Sequence, residues 1–237
     1  MFTTPDKLNQ FLHYASTSTL PAILNQRQDA LQHLPVNFRC AAVLMPVDWN
    51  HGNAQIWLTQ RSQQLHQHRG QIAFPGGKLE NNESSINAAF RESEEETGLI
   101  RNQWRLVGTL PQCYLPSGFK VVPVLAWTNS SLHWQLNPSE VSEIFPVPLP
   151  IVLNSKLYQH SITQYQQLKL KVYHLHYQNR HIWGATACML LHLAQCYQVW
   201  SRQNHQTNPV NQFVLFLRII VLPAPDNVPV SGPEKHK

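Results

Sequence analysis

The sequence predicts an α/β or α+β sandwich, in which helices pack against β-strands. Short apolar runs, partly β-branched, alternate along the chain with segments of helical periodicity. The 237 residues are enough to bury one sizeable core, and a hydrophobic content of 43% is ordinary for a globular protein. Charged residues make up only 13% of the chain, which excludes a highly charged disordered protein.

The spacing of apolar residues predicts each element in turn. Residues 5–33 carry apolar positions at helical intervals, so two entry helices are expected, with Pro21 in the first turn of the second. Strands are predicted at 38–47, 55–58, 71–74, 104–110, 119–127 and 168–177, and further helices at 84–97 and 185–200. The expected organisation is an N-terminal helical extension (1–34), a central domain (35–200) and a C-terminal extension (201–237) with a disordered, Pro-rich end.

Charge and cysteine content narrow the function classes. A net charge of +5 without basic clusters is compatible with an anionic small-molecule ligand and argues against nucleic-acid binding. The four cysteines are scattered, which predicts buried free thiols. The N-terminus lacks the pattern of a signal peptide, so a cytoplasmic location is expected. The longest apolar stretch, 213–222, is too short to span a membrane.

Three carboxylates share one face of the helix predicted at 84–97. Glu92, Glu95 and Glu96 stand at i, i+3 and i+4, where like charges repel one another. A hard divalent cation such as Mg²⁺ or Mn²⁺ offsets this repulsion efficiently, because it prefers carboxylate oxygens as ligands. Taken alone, the same run also fits an ordinary solvated acidic helix.

The opposite face of this helix is predicted to face the core. Its apolar stripe consists of Ile86, Phe90, Ser93 and Thr97. Ala88 and Ala89 flank the acidic face, where their small side chains are expected to leave room for a ligand. The glycine pair Gly76 and Gly77 lets the backbone before the helix approach a phosphate or a metal closely. The acids and the glycine turn are therefore predicted to line one cleft.

Residues 77–99 resemble the Nudix box, G-x5-E-x7-R-E-U-x-E-E-x-G-U, in which U is a bulky apolar residue. The matching positions are Gly77, Glu83, Arg91, Glu92, Glu95, Glu96, Gly98 and Leu99. Ser93 departs from the pattern at the first U position. The resemblance implies a Nudix-type α/β/α sandwich with a mixed sheet, and hydrolysis of a nucleoside diphosphate linked to another moiety.

The resemblance also implies roles for individual residues. The implied metal ligands are Glu92, Glu95, Glu96 and the carbonyl of Gly77, and the three glutamates form the catalytic set. The base is Glu95 or Glu96. Glu83 is expected to be a structural partner of Arg91, and Gly98 to end the helix. A bound Mg²⁺ or Mn²⁺ would neutralise the diphosphate and lower the pKa of the attacking water.

The residues before the box resemble a second signature, that of the coenzyme A pyrophosphatase branch, L-L-T-x-R-[S/A]-x3-R-x3-G-x3-F-P-G-G. The substrate-binding residues that it implies are Arg61, Ser62, His66, Arg69, Gly70, Phe74 and Gly76. Trp57 and His66 depart from the pattern, and Arg69 is expected to replace the arginine missing at position 66. The implied reaction cleaves coenzyme A to 3′,5′-ADP and 4′-phosphopantetheine.

Several interpretations stay open. Glu140 and Glu143 either supply a further carboxylate or begin an exposed helix. Trp183 is expected in the core rather than as a surface that stacks on a base. The substrate is alternatively ADP-ribose, a dinucleotide or a nucleoside triphosphate, or the chain is a catalytically silent module that binds nucleotides.

Overall fold

Helices and strands account for most of residues 2–34, 36–50, 52–64 and 69–206, which the computed structural model describes. The helices are α1 (Pro5–Thr17), α2 (Ala22–Gln32), α3 (Ser85–Thr97), α4 (Leu149–Val152) and α5 (Gly184–Gln206). The strands are β1 (Arg39–Asn50), β2 (Asn53–Arg61), β3 (Ile72–Ala73), β4 (Gly76–Lys78), β5 (Arg105–Thr109), β6 (Cys113–Leu115), β7 (Phe119–Thr128), β8 (Val141–Pro148), β9 (Tyr158–Tyr165), β10 (Leu168–Tyr177) and β11 (Arg180–Trp183). The apolar stretch at 213–222 and the predicted disordered end lie outside the described residues.

The larger sheet is mixed, as the sequence predicts. Its main path runs β3-β2-β1-β7-β5, and β4, β6 and β8 pair with β1, β7 and β2. The pair β1 and β7 is parallel, in register from Arg39 opposite Phe119 to Asp48 opposite Thr128. The pairs of β1 with β2 and with β4 are antiparallel. Strand β4 therefore places the glycine turn beside the centre of the sheet.

Alternation along β1 separates the two faces of the sheet. Ala42 and Leu44 belong to the cluster that includes Ala88 and Ala89 of α3, whereas Met45 belongs to the cluster that includes α1 and α5. Helices therefore cover both faces, and the predicted α/β/α sandwich is confirmed. The expectation that the two alanines leave room for a ligand is wrong: both are fully buried, because their small side chains pack α3 against the sheet.

The two entry helices pack on the sheets. On α1, Asn9 Oδ1 accepts a hydrogen bond from Trp127 Nε1 at 2.9 Å. On α2, Gln28 Oε1 accepts from the main-chain N–H of Tyr114 at 2.6 Å. Residues Met1–Trp200 form one compact unit and a second unit begins at Ser201. The division into 1–34, 35–200 and 201–237 stays a prediction.

A second, three-stranded antiparallel sheet has the order β11-β10-β9. Five strands were not predicted: β4, β6 and β11 have at most four residues, β8 contains Pro146 and Pro148, and β9 is almost entirely polar and exposed. The interpretation of Glu140 and Glu143 as a helix start is wrong. Glu143 lies within β8, whose alternating burial packs Phe145 into the core, and Glu140 directly precedes that strand.

Two further sequence predictions concern the cysteines and the membrane. Cys113, Cys188 and Cys196 are buried free thiols, as expected, whereas Cys40 is exposed near the start of β1. Within the described part of the chain, none of the helices combines the length and the apolarity that a membrane span requires.

Candidate active site

Helix α3 presents the box glutamates because both of its ends are fixed. At its start, Ser84 Oγ accepts a hydrogen bond from the N–H of Asn87 at 3.2 Å. At its end, Gly98 adopts a left-handed conformation (φ 69°) and its N–H donates to the carbonyl of Glu94 at 2.9 Å. These caps set the register in which Glu92 and Glu96, one turn apart, face strand β4.

Glu96 is the most buried carboxylate of the set, with 5% of its side chain exposed. Its Oε2 accepts a hydrogen bond from the N–H of Gly76 at 3.1 Å, and its Oε1 lies 3.8 Å from Arg61 Nη1. Burial raises the pKa of Glu96 to about 7, although the Gly76 N–H and Arg61 oppose the rise. The charges of Glu140 and Glu92 add to it. Glu96 therefore lies beside one guanidinium, and two further carboxylates are near enough to affect its pKa.

Glu92 occupies the space above Gly77. A Cβ added to Gly77 would lie 2.3 Å from Glu92 Oε2, so a larger residue at position 77 would displace this carboxylate. Burial raises the pKa of Glu92, opposed by Arg91. Glycine at position 77 is thus required by a side chain on α3 rather than by its own backbone angles.

Arg91 links the carboxylates of the box. Its Nε and Nη2 donate to the two carboxylate oxygens of Glu83, each at 2.9 Å, and Nη2 also donates to the carbonyl of Lys78 at 3.2 Å. Its Nη1 donates to Glu92 at 3.0 Å and to Glu95 at 3.3 Å. The hydrogen bonds from Arg91 lower the pKa of Glu83 to about 2. One guanidinium thereby ties the loop before α3 to two glutamates on it.

Ser93, the departure from the box pattern, is accommodated within α3. It is fully buried, and its Oγ donates to the carbonyl of Ala89 at 2.6 Å. Thr97 Oγ1 donates in the same way to the carbonyl of Ser93 at 2.6 Å. Both hydroxyls find an acceptor one turn back along the helix, so the stripe packs without an unsatisfied polar group.

A cleft of about 630 Å³ lies beside this cluster. Four of the predicted site residues line it: Arg61, Phe74, Gly76 and Gly77. The glutamates of the box lie behind this glycine turn and not in the lining, so the prediction that acids and glycines line one cleft is wrong for the acids. Ser62 and Gly70 instead build the turn at the base of the upstream loop. The N–H of Ser62 donates to the carbonyl of Glu140 at 2.8 Å, and that of Gly70 to the carbonyl of Arg61 at 3.1 Å. Arg69 is exposed and does not line the cleft, and His66 and His68 lie outside the described residues.

The cleft is completed by residues that the sequence did not assign to it. Trp183 lines it with 42% of its surface exposed, so the expectation that this tryptophan lies in the core is wrong. Its indole is stacked with the ring of His181 at 6.4 Å. Arg27 of α2 and Val172 of β10 also line the cleft. No motif marks these positions, because separate elements bring them to the cleft.

The two acids considered as additional ligands differ in their partners. Glu143 accepts a hydrogen bond from Arg180 Nη2, and the same guanidinium lies 4.2 Å from the centre of the Phe145 ring. Glu140 lies close enough to Glu92 and Glu96 to raise the pKa of both. Of the two, Glu140 is therefore the acid that belongs to the cluster.

The donor set suits a hard divalent cation. Carboxylate oxygens are the ligands that Mg²⁺ and Mn²⁺ prefer, and Gly77 leaves the space that the Glu92 carboxylate occupies. Among the described residues, no three His, Cys, Asp or Glu side chains are yet arranged around one point as metal ligands. The reason is visible in the contacts, since Arg91 holds Glu92 and Glu95 while Glu96 bonds to Gly76.

Fold, box and cleft together define a hydrolase of pyrophosphate bonds. The model of the NUDIX domain matches residues 39–167, and the chain belongs to the Nudix family, whose members act on nucleoside diphosphate derivatives and generally use divalent ions such as Mg²⁺ or Mn²⁺.

Two relatives similar in sequence agree with this assignment. The uncharacterized Nudix hydrolase NudL of Photorhabdus laumondii is 36% identical over 169 residues, which cover 71% of this chain and 90% of the relative. NudL of Yersinia pestis is 35% identical over 159 residues, covering 66% and 79%. Among solved structures, the Nudix hydrolase RenU of M. smegmatis is 26% identical with a TM-score of 0.42, covering 47% of this chain and 71% of that one.

Proposed function

We propose that this Nudix hydrolase cleaves the diphosphate bond of coenzyme A and its derivatives, releasing 3′,5′-ADP and 4′-phosphopantetheine. One observation carries the proposal. Arg61, from the upstream signature of the coenzyme A branch, lies 3.8 Å from Glu96 of the box and lines the same cleft as Phe74 and Gly76. The segment that distinguishes this branch therefore borders the diphosphate-cleaving residues.

The residues proposed to hold Mg²⁺ or Mn²⁺ are Glu92, Glu95, Glu96 and the Gly77 carbonyl, with Glu140 beside them. Bound metal supplies charge neutralisation at the diphosphate and a lower pKa for the attacking water. Arg91 positions Glu92 and Glu95 by donating to both from one nitrogen. Gly77 keeps the space that the Glu92 carboxylate occupies.

Glu95 or Glu96 is proposed to act as the base that accepts the proton of the attacking water. The two differ in environment: 56% of the Glu95 side chain is exposed, compared with 5% for Glu96. Arg61, whose buried Nε has no acceptor among the described residues, is the residue proposed to donate to a substrate phosphate oxygen.

The nucleoside half of the substrate finds an aromatic surface in the same cleft. Trp183 offers an exposed indole, and a tryptophan face is suited to stacking on a purine ring. Apolar residues such as Phe74 and Val121 also line the cleft and fit the pantetheine chain.

Product analysis tests the proposal. The purified protein is incubated with Mg²⁺ or Mn²⁺ and with coenzyme A, ADP-ribose, NADH or a dNTP, and the products are separated by chromatography. We expect metal-dependent release of 3′,5′-ADP from coenzyme A. Turnover of another substrate instead would overturn the choice of coenzyme A and keep the family chemistry.

Variants on one helix separate catalysis from folding. Glu92→Gln, Glu95→Gln and Glu96→Gln are each expected to lower kcat by about 100-fold or more, as for loss of an acid-base or ligating group. Glu94→Gln, on the same helix but outside the box positions, is the matched control and should retain wild-type turnover. A protein that binds nucleotides but turns over none of them would be the silent binding module.

A further inference from the structure

A second arginine reaches the cleft from the N-terminal helices. Arg27, on α2, lines the cleft together with Arg61, although α2 precedes the segment that matches the NUDIX domain. Its Nε donates to the main-chain carbonyl of Lys171 on β10 at 3.1 Å. Val172, the next residue of β10, lines the cleft as well. The guanidinium is thus anchored by one nitrogen at the wall of the cleft.

The rest of this guanidinium lacks a protein partner. Arg27 Nη1 is buried and, among the described residues, has no hydrogen-bond acceptor. No acidic side chain of the described residues lies within ion-pair distance of Arg27, whereas Arg61 has Glu96. A buried N–H without an acceptor costs free energy, and the rest of this partly buried guanidinium lacks a counter-charge among the described residues. An anion bound in the cleft would supply that counter-charge.

The neighbouring ionisable groups do not neutralise Arg27. Its charge acts on Cys113, Cys188 and Tyr173. Burial raises the pKa of each of these three groups, so they are uncharged near neutral pH. None of these three groups therefore supplies a counter-charge to Arg27.

We propose that Arg27 binds a phosphate group that the substrate carries apart from its diphosphate. The inference rests on the proposed function and deepens it. Arg61 is committed to the catalytic end of the cleft by Glu96, whereas Arg27 is tied to β10. Coenzyme A carries two separate anionic parts, the diphosphate and the 3′-phosphate of its ribose. Arg27 is the specificity residue for the 3′-phosphate, because the planar guanidinium can donate two parallel hydrogen bonds to a phosphate monoester.

The test compares two substrates that differ in one phosphate. Wild type, Arg27→Gln and Arg27→Lys are assayed on coenzyme A and on dephospho-coenzyme A, with kcat and KM determined separately. We expect wild type to prefer coenzyme A, and Arg27→Gln to reduce that preference by roughly 10- to 100-fold, mainly through KM, as for loss of a charged hydrogen bond. Arg27→Lys should keep part of the preference, because it keeps the charge but not the two parallel donors.

Arg105→Gln is the matched control. Arg105 is an exposed arginine on β5 that does not line the cleft, and its guanidinium lies over Trp127. This variant should retain the wild-type ratio between the two substrates. A ratio lowered equally in both variants would overturn the assignment of the 3′-phosphate to Arg27.

Binding of product gives a readout that does not depend on turnover. Calorimetry in metal-free buffer compares adenosine 3′,5′-bisphosphate with AMP, and only the former should bind more weakly to Arg27→Gln than to wild type. If wild type hydrolyses coenzyme A and Arg27→Gln keeps the full substrate preference, the inference on Arg27 fails and the proposed function stands. If wild type leaves coenzyme A intact, the proposed function itself fails.

Discussion

The indole N–H of Trp57 on β2 donates to Asp48 Oδ1 on the neighbouring strand β1 at 2.9 Å. Trp57 stands where the upstream signature has leucine, and its ring also packs on Trp134, with ring centres 5.0 Å apart. The exchange of leucine for tryptophan therefore brings a polar N–H into the sheet, and Asp48 is its acceptor. Asp48 is itself only 3% exposed.

This buried acid predicts a pH dependence of stability. Burial raises the pKa of Asp48 to about 6, against the hydrogen bonds from Trp57 and Gln55. The folded state therefore binds a proton that the unfolded state releases above its own pKa of 3.8, so the contribution of Asp48 to stability falls as pH rises from about 4 to about 6. Above that range the fold carries a buried charge.

Asp48→Asn removes this charge and keeps an acceptor for Trp57. We expect the unfolding free energy of the variant, relative to wild type, to rise by roughly 1–3 kcal/mol between about pH 4 and about pH 7.5. Urea titrations of both proteins at the two pH values measure the difference. A difference that stays constant with pH would contradict the raised pKa.

A buried histidine on α5 predicts the opposite dependence of stability on pH. His192 is 2% exposed, and burial lowers its pKa to about 4. The unfolded chain binds the proton more readily, so stability is complete above the unfolded pKa of about 6.5 and is lost as pH falls towards 4. His192→Gln, which does not titrate, should reduce this acid sensitivity by roughly 1–3 kcal/mol. The unfolding free energies of variant and wild type are measured near pH 7.5 and near pH 5. An equal loss of stability in the two proteins would refute the lowered pKa of His192.

The several hydrogen bonds that the Arg91 guanidinium donates predict that lysine cannot replace this arginine. Arg91→Lys keeps one positive charge but loses the paired donation to Glu83 and the simultaneous contacts with Glu92 and Glu95. We expect kcat to fall by about 10- to 100-fold and the concentration of metal needed for half-maximal activity to rise.

Arg101→Lys is the control for this change. Arg101 also contacts α3, through a hydrogen bond to Asn87 Oδ1 at 3.0 Å, but not the carboxylate set. It should leave both kcat and the metal requirement near those of wild type. Full activity of Arg91→Lys would show that the charge of Arg91, rather than its geometry, suffices.

Gly77→Ala is predicted to harm activity more than stability. The added Cβ meets the end of a flexible side chain, the Glu92 carboxylate, which can rotate away at little cost to the fold. The carboxylate then leaves its position beside β4, and we expect turnover to fall by about 10-fold or more while the melting temperature changes little. Gly52→Asn, at a glycine with no neighbour within 4 Å and a left-handed φ that asparagine tolerates, controls for glycine replacement. Unchanged turnover of Gly77→Ala would separate Glu92 from the metal site.

Local sequence was sufficient for the elements whose signals lie within a few residues. The periodic stripe ending at Thr97 and the stop at Gly98 predict α3 to within a residue of the observed helix. Strands β7 and β10 are apolar or alternating over ten residues, and their observed bounds lie within a residue of the prediction. Strand β9 escaped prediction because its residues are polar and exposed, and its pairing with β10 is what defines it.

By itself, the sequence determined the family and the three glutamates on one face of a helix, because both depend on spacing along a continuous segment. The mixed sandwich followed from the resemblance to that family. Tertiary structure alone decided which residues meet at the cleft. In the folded protein, Ala88 and Ala89 lie in the core and Trp183 is exposed at the cleft. Arg27 of α2 lines the same cleft and donates a hydrogen bond to β10. Burial and unpaired charge depend on partners distant in sequence, and these partners meet only after the sheets and helices pack.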